Sequence, residues 1–397
     1  MRAVAPIIVS LLDTDKYKYT MMDWVFHNKP TATVKWGFKC RTPNISLVQF
    51  IGVLNTQLDM LCELKLSTTD LSVLKKKVPE LSDRFIKYLS TFQLKREQIE
   101  VVAVNEQEID IKVSGLHLET ILFEIFVLSI VHKLYDLFTT ETHKAWTEGS
   151  VRLQNKIDFL NEKNLKHFKF SDFGTRRRYS FAWQNYVIGT LKNHPNFAGT
   201  SNIYFANKFD LPCIGTMAHE YLQAFQSYGP NLRDFQKNAL ESWIQHFNGK
   251  LGIALSDVIG MAAFLRDFTL PLASQYEGAR HDSGDPFEWT QKLIAHYQSL
   301  AIDPTTKKAV YSDGLTVESA VKLYETFDCH EVENGIQTFA GIGTSLTNDT
   351  GYKALNIVLK LLECNDLPVA KLSDSPGKEM CQSPNFVKLL KEVNDIL

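Results

Sequence analysis

The 397-residue chain lacks an excess of either charge: 43 Lys and Arg stand against 45 Asp and Glu, a formal net charge of −2. That balance excludes an overall basic field drawing in nucleic acid or anionic lipid, so any anion site has to be local. It lacks a long hydrophobic run: the longest, Ile121 to Val131, is interrupted by Glu124 and falls well short of the ~20 apolar residues needed to cross a bilayer. Cysteine is sparse. Cys40, Cys62, Cys213, Cys329, Cys364 and Cys381 are scattered without a CxxC pair, which argues against a zinc site or a disulfide framework and for a reducing cytoplasm. The segment Met1 to Ser10 has one Arg and no apolar stretch ending in a small-residue cleavage site, so it does not read as a secretory signal. The expectation is a cytoplasmic protein that engages neither nucleic acid nor membrane. A hydrophobic fraction of 44% is ample for sizeable cores, and at ~150 residues per domain the length predicts two or three of them.

The first third mixes helices with antiparallel-type strands. Val34, Trp36, Phe38 and Cys40 alternate onto one face of Thr33 to Cys40, the period of a half-buried strand. Ile99 to Val104 and Ile109 to Val113 are two more strand candidates, and Leu118 to Leu137, apolar on most faces and free of Gly and Pro, reads as a buried helix. From Phe168 onward the texture changes to short apolar or β-branched runs, each ending in a Gly, Asp, Ser or Thr loop and then an amphipathic helix. The runs are Phe168–Phe173, Pro212–Gly215, Leu251–Leu255, Ala309–Tyr311, Gln337–Ala340 and Val369–Leu372. Val317, Ala320, Val321 and Tyr324 form one helical stripe fit to pack on a sheet. Repeated strand-loop-helix units predict parallel strands, in a (β/α) barrel or a doubly wound sheet, with chemistry at the C-terminal strand ends in either case. No linker or low-complexity stretch interrupts the chain.

Six clusters are expected at successive strand ends. In Asp172-Phe173-Gly174-Thr175-Arg176-Arg177-Arg178, three guanidinium forks beside a Gly either clamp a phosphate or carboxylate or form a solvated helix start. Gly199-Thr200-Ser201-Asn202 either lines a small planar ligand with N–H and hydroxyl groups or is a capped turn. In Pro212 to Glu220, Thr216 is expected to N-cap a helix running through Phe225, which sets His219 in the first turn. There the helix dipole disfavours imidazolium and welcomes an anion, so a neutral His219 is a nucleophile or base unless it is an ordinary buried, hydrogen-bonded histidine. In Gly278 to Pro286, Asp285 is accounted for as N-cap with Pro286 at N1, whereas Asp282 beside Arg280 suits a ribose diol or hydrated Mg²⁺. Ser312-Asp313-Gly314 repeats the strand-end Asp. In Ala340 to Ser345, consecutive N–H groups from Gly343 with Thr344 and Ser345 hydroxyls would cradle a phosphate monoester. Leu346 denies the segment a dinucleotide fingerprint, and no GK[ST] makes it a P-loop.

Taken in order, these motifs resemble the nicotinate phosphoribosyltransferase family of the bacterial and fungal type. The resemblance includes Leu12-Asp13-Thr14-Asp15-Lys16-Tyr17-Lys18, DFGTRRR, GTSN, GTMAHE, HDSGDP, YSDGL, GIGTSLTND, and Lys371 to Lys378. It implies an α/β fold, an irregular (β/α) barrel over 141–345 with an α+β domain built from 1–140 and a returning tail, 346–397. It implies the joining of nicotinate to 5-phosphoribosyl-1-pyrophosphate (PRPP), giving nicotinate mononucleotide and pyrophosphate in NAD salvage, with ATP hydrolysis and Mg²⁺. By the same resemblance His219 is transiently phosphorylated by ATP. Tyr17, supplied by the partner of a homodimer, and Phe173 sandwich the pyridine ring, and Arg176 and Arg280 face anionic groups. Asp282 and Asp313 lie near the ribose and the metal-bound pyrophosphate, Gly343 and Thr344 at the 5′-phosphate, and Thr200 with Ser201 in the pyridine pocket. Nicotinamide-using relatives carry Asp where this chain has Ser201; a carboxylate there would repel nicotinate, so the chain reads as acid-specific.

Three other readings compete. A nicotinamide- or quinolinate-specific transferase is the nearest. A barrel hydrolase or aldolase would use the strand-end Asp and His as acid and base but gives no reason for the loop at Gly343. A nucleic-acid binder could use Arg176 to Arg178, against the balanced net charge.

Overall fold

The computed structural model describes residues 4–374 and 381–396, so Gly377 and Lys378 of the last motif lie outside the described residues. Its strands are β1 (Thr33–Cys40), β2 (Ile99–Ala103), β3 (Ile109–Leu116), β4 (Phe170–Asp172), β5 (Phe197–Thr200), β6 (Ile253–Leu255), β7 (Gly278–His281), β8 (Lys308–Tyr311), β9 (Gln337–Ile342), β10 (Ile357–Cys364) and β11 (Leu367–Pro368). Six helices matter for the site: α1 (Lys16–Asn28), α2 (Phe123–Thr139), α3 (Phe181–Leu191), α4 (His219–Tyr228), α5 (Pro286–Ser299) and α6 (Val317–Phe327). The chain forms two compact units. One comprises Met1–Lys166, Ser171–Ile214 and Ile342–Lys360; the other comprises His167–Phe170, Gly215–Gly341 and Leu361–Leu397.

In the first unit β1 lies between β10 and β3, with β2 beyond β3. The β1–β3 and β2–β3 pairs are antiparallel, Trp36 opposite Val113 and Val113 opposite Ile99. Val34, Trp36 and Phe38 are buried, as their alternation predicts. Helix α2 is buried on nearly every face, from Phe123 and Ile125 to Ile130 and Leu134, which is why its sequence is apolar all round. Glu124 is buried with them.

In the second unit β6, β7, β8 and β9 run parallel and neighbour one another in chain order, with Ala254, Ala279, Ala309 and Thr338 in register. Helix α5 follows β7, and α6 follows β8 and buries Val317, Ala320, Val321 and Tyr324, the expected stripe. Asp285 caps α5 as anticipated, its carboxylate accepting from the Phe287 and Glu288 amides at 2.7 and 3.0 Å, with Pro286 in the first turn.

Several local expectations change. β7 occupies Gly278–His281, which reads as loop because Gly, Arg and His carry no strand signature; only burial between neighbours makes it one. Pro212–Gly215 contributes a single bridge, Cys213 to Thr200, and Val369–Leu372 forms no regular strand. Thr216 is not a cap: its hydroxyl donates to the Ile253 carbonyl at 3.2 Å, Ala218 takes the N-cap position without a side-chain bond, and His219 becomes the first helical residue.

Candidate active site

In the second unit, successive strand ends deliver successive polar side chains: Ser256 and Asp257 after β6, Asp282 and Ser283 after β7, Ser312 and Asp313 after β8. His219, buried at the start of α4, points Nε2 at Asp257 Oδ1, 2.8 Å away, with Asp282 Oδ2 at 3.5 Å. The other Asp257 oxygen receives the Lys371 ammonium at 2.8 Å and the Ser283 hydroxyl at 2.6 Å. Asp257 is therefore satisfied at both oxygens although buried. Burial alone would raise its carboxyl, but the His219 ring and the Lys371 ammonium hold it well below the usual range. Burial and then Lys371 push His219 down to about 4. Lys371 thus supplies the counter-charge, and at neutral pH the imidazole is neutral. Because a carboxylate only accepts, Nε2 carries the ring proton and Nδ1 keeps a lone pair. A neutral imidazole with one nitrogen pinned and the other nucleophilic can accept a phosphoryl group.

Asp282 is half-buried, accepts the Ser312 hydroxyl at 2.8 Å, and is held below the usual carboxylate range by His219 and Arg280 against the opposing effect of burial. The Arg280 Nε is buried and has no hydrogen-bond partner among the described residues. An orphaned guanidinium N–H is costly and marks a place where an anion completes the set. Asp313 is half-buried at the end of β8. His219, Asp257 and Asp282 each offer a ligand atom within 4.8 Å of the others, but Asp257 is spent on His219, Lys371 and Ser283, leaving Asp282 and Asp313 as carboxylates suited to a hydrated cation.

The first unit holds the remaining motif residues. The three arginines diverge and form no single clamp. Arg178 is buried against Asp13 in a two-pronged pair of 2.7 and 2.5 Å, and its Nη1 also donates to Gln184 at 2.9 Å. Arg177 reaches the Asn356 amide oxygen at 3.5 Å. Arg176 Nη1 donates to Glu124 Oε1 at 3.4 Å, while Glu124 Oε2 takes the buried Lys18 ammonium at 2.6 Å. This explains the carboxylate inside α2: it is a charged anchor for Arg176 and Lys18. The Thr200 hydroxyl is turned inward, donating to Asp172 at 2.7 Å; Asp172 also accepts from Gln184 and from the Gly174 amide, and burial raises its carboxyl to about 6. The Ser201 hydroxyl donates to buried Asp15 at 2.8 Å, and the Tyr17 side chain hydrogen-bonds to the same carboxyl. Phe173 lies beside Gly343, its amide held by the Ile342 carbonyl at 2.9 Å, and Thr344 opens the single turn Thr344–Thr347.

Sequence reasoning missed Asp257, Lys371 and Asp15 as individual site residues. Asp257 was within reach: Ser256-Asp257 after β6 repeats the strand-end Asp of Ser312-Asp313. Lys371 and Asp15 lie in quoted motifs, but nothing local says which carboxylate or hydroxyl each meets.

Two models of one family match successive parts of the chain. The nicotinate phosphoribosyltransferase family matches residues 168–396, and the N-terminal domain of the same family matches residues 12–132. The chain is 48% identical to the nicotinate phosphoribosyltransferase of Acinetobacter baumannii, over 99% of this chain and 98% of that one. It is 44% identical to that of Ralstonia nicotianae, over 98% and 99%. Among solved structures, the enzyme of that name from Vibrio cholerae superimposes with a TM-score of 0.91 at 36% identity, covering 99% of this chain and 95% of that one. The one from Porphyromonas gingivalis gives 0.90 at 30%, covering 98% and 100%.

Proposed function

Because this chain belongs to the nicotinate phosphoribosyltransferase family, we propose for it a specific division of labour within that reaction. The enzyme joins nicotinate to PRPP, forming the bond from the pyridine nitrogen to the ribose anomeric carbon and releasing pyrophosphate, a step of NAD salvage. The pyridine nitrogen is already a lone-pair nucleophile and loses no proton. No general base is needed, which leaves His219 for another task.

That task is phosphotransfer from ATP, and the observation that carries it is the chain Lys371, Asp257, His219. With Nε2–H donated to Asp257 at 2.8 Å, Nδ1 attacks the terminal phosphorus of ATP, ADP departs, and a phosphohistidine is left whose hydrolysis returns the free ring. Its charge at a helix N-terminus is well placed to order the surrounding loops for substrate. Asp282 and Asp313 would hold Mg²⁺, which would supply charge neutralisation at the departing pyrophosphate. Arg280, with its orphaned Nε, is the cationic donor to the same anionic substrate.

In the first unit, Phe173 and Tyr17 sandwich the pyridine ring, Arg176 braced by Glu124 faces the substrate's anionic group, Ser201 faces the pyridine carboxylate, and Thr200 shapes the pocket from behind through Asp172. Gly343 and Thr344 offer backbone N–H groups to the 5′-phosphate. The working unit in this reading is a homodimer in which Tyr17, its side chain still bonded to Asp15 of its own chain, reaches the partner's pocket. Its setting is the cytoplasm, in keeping with six free cysteines; no helix among the described residues is long and apolar enough to cross a membrane.

The deciding assay measures mononucleotide formation from PRPP and Mg²⁺ with nicotinate, nicotinamide or quinolinate, each with and without ATP. Product from nicotinate alone, stimulated by ATP, is the expected result; product from nicotinamide overturns the Ser201 argument, and indifference to ATP overturns the role of His219.

A further inference from the structure

Acid specificity hangs on the Ser201 hydroxyl, and its proton is already engaged. Ser201 Oγ donates to Asp15 Oδ1 at 2.8 Å, and both residues are buried. In that state the hydroxyl turns only lone pairs to anything else, and lone pairs repel a carboxylate. Replacing the Asp of nicotinamide-using relatives by Ser201 has not removed negative charge from the pocket; a carboxylate stands directly behind the serine.

The groups around Asp15 make the problem sharper. On its own segment, the Tyr17 side chain hydrogen-bonds to it, and the Lys16 ammonium is committed to Glu80 at 3.0 Å. From the end of β4 comes the Asp172 carboxyl, and from the turn after it the Thr175 hydroxyl and the Arg176 guanidinium. Asp13 and Arg178 cancel as a buried pair. The nearby Cys213 thiol is pushed up to about 12 by burial and stays neutral. Asp15 is thus offset by Arg176, which also serves Glu124, itself faced by Lys18 and Lys360, while Asp172 and Asp15 repel one another. Bringing in the carboxylate of nicotinate sets three buried carboxylates against one shared guanidinium, an arrangement too costly to hold fully ionised.

We propose that Asp15 is a specificity-determining residue: nicotinate binds together with one proton, taken from solvent by the Asp15 carboxylate. The new Asp15 hydroxyl donates to Ser201 Oγ, and the Ser201 hydrogen turns to the nicotinate carboxylate. Nicotinamide needs no such proton, because its amide N–H can donate to the Ser201 lone pair as it stands. Burial already pushes the Asp15 carboxyl upward, the direction that uptake requires. The inference rests on the reading that Ser201 faces the pyridine carboxylate, and it converts a steric and electrostatic distinction into a proton-linked one.

The sign follows from linkage. Proton uptake on binding means that nicotinate affinity is greatest at low pH and falls by up to about tenfold per pH unit above the pKa of Asp15 in the free enzyme. Nicotinamide affinity stays flat, so the preference for acid over amide shrinks as pH rises. The test is titration calorimetry of the full chain with nicotinate in buffers of differing ionisation enthalpy, which counts protons directly, beside the nicotinate KM as a function of pH. Wild type should take up close to one proton. Asp15→Asn, whose amide offers Ser201 the same donor permanently, should bind nicotinate with no uptake and a flat KM. The inference is overturned by binding without uptake in wild type, by uptake that persists in Asp15→Asn and so belongs to Asp172 or another group, or by a folded Asp15→Asn that binds no nicotinate. Should that variant not fold, the wild-type proton count and the pH dependence of acid-over-amide selectivity decide alone. Wild type that turns over nicotinate without proton uptake defeats only this inference, whereas wild type that makes no mononucleotide from nicotinate defeats the functional reading itself.

Discussion

His219 owes its availability to the two groups that hold it from one side. Asp257 accepts its Nε2 proton, and Lys371 keeps Asp257 charged. His219→Asn should abolish covalent labelling by radiolabelled ATP and remove ATP stimulation, while mononucleotide formation without ATP persists. Asp257→Asn tests the tautomer: the amide can present its N–H and reverse the ring, so labelling should fall roughly 10²-fold. It also leaves the buried Lys371 uncompensated, so unfolding in urea should show a loss of about 3 kcal/mol. Because burial holds His219 at about 4 in the folded chain against 6.5 for the ordinary group, its contribution to stability is present above 6.5 and lost as pH falls through 4. The same titration removes the nucleophilic lone pair. Initial labelling rates should therefore hold level from pH 8 to 5 and drop on approach to pH 4; a midpoint near 6.5 would falsify the buried, neutral imidazole. At this scale the motifs named candidate residues but not whom they touch. DFGTRRR reads as a basic clamp or a solvated helix start, yet Arg178 is locked against Asp13 and Arg176 is braced by Glu124, because each partner comes from a distant part of the chain.

Elements were legible where a local rule acts alone. The α5 start is an example, since Asp285 and Pro286 satisfy its first turn without help from elsewhere. Asp285→Ala should cost about 1 kcal/mol in urea unfolding and leave ATP labelling within twofold of wild type. A large loss of labelling would mean that the cap also shapes the loop that carries Asp282. The same logic explains the errors. Thr216 has the right residue type for an N-cap, but its hydroxyl finds the Ile253 carbonyl and the helix begins later, at His219. β7 was invisible because its strand character comes from β6 and β8 on either side. Gly278 marks how close they pack: a Cβ there would sit 2.0 Å from the Lys308 carbonyl oxygen. Gly278→Ala should destabilise by about 3 kcal/mol and displace Arg280 and Asp282, seen as a lower unfolding midpoint with a matching loss of activity.

At the scale of the whole molecule the prediction concerns the assembly. If Tyr17 completes the partner's pocket, Tyr17→Ala and His219→Asn chains, each without ATP-stimulated activity, should complement when co-refolded. Random pairing gives mixed dimers with one intact site, about a quarter of the sites overall, restoring a similar share of ATP-stimulated activity. No recovery, with mixed dimers demonstrated by size and mass, would place Tyr17 in its own chain's pocket. Composition had already excluded a membrane span and a global basic field, and the order of motifs carried the family, because these depend on residue identity along the chain and are insensitive to exact geometry. Parallel strands followed by polar side chains at their C-terminal ends were legible for the same reason: the strand-loop-helix rhythm is a local pattern. The tertiary structure alone decided the pairings, Asp257 with His219 and Lys371, Asp15 with Ser201, Glu124 with Arg176 and Lys18. A buried charge is tolerated only where its partner is brought within about 3 Å, and that distance is a property of the packed fold, not of any segment read by itself.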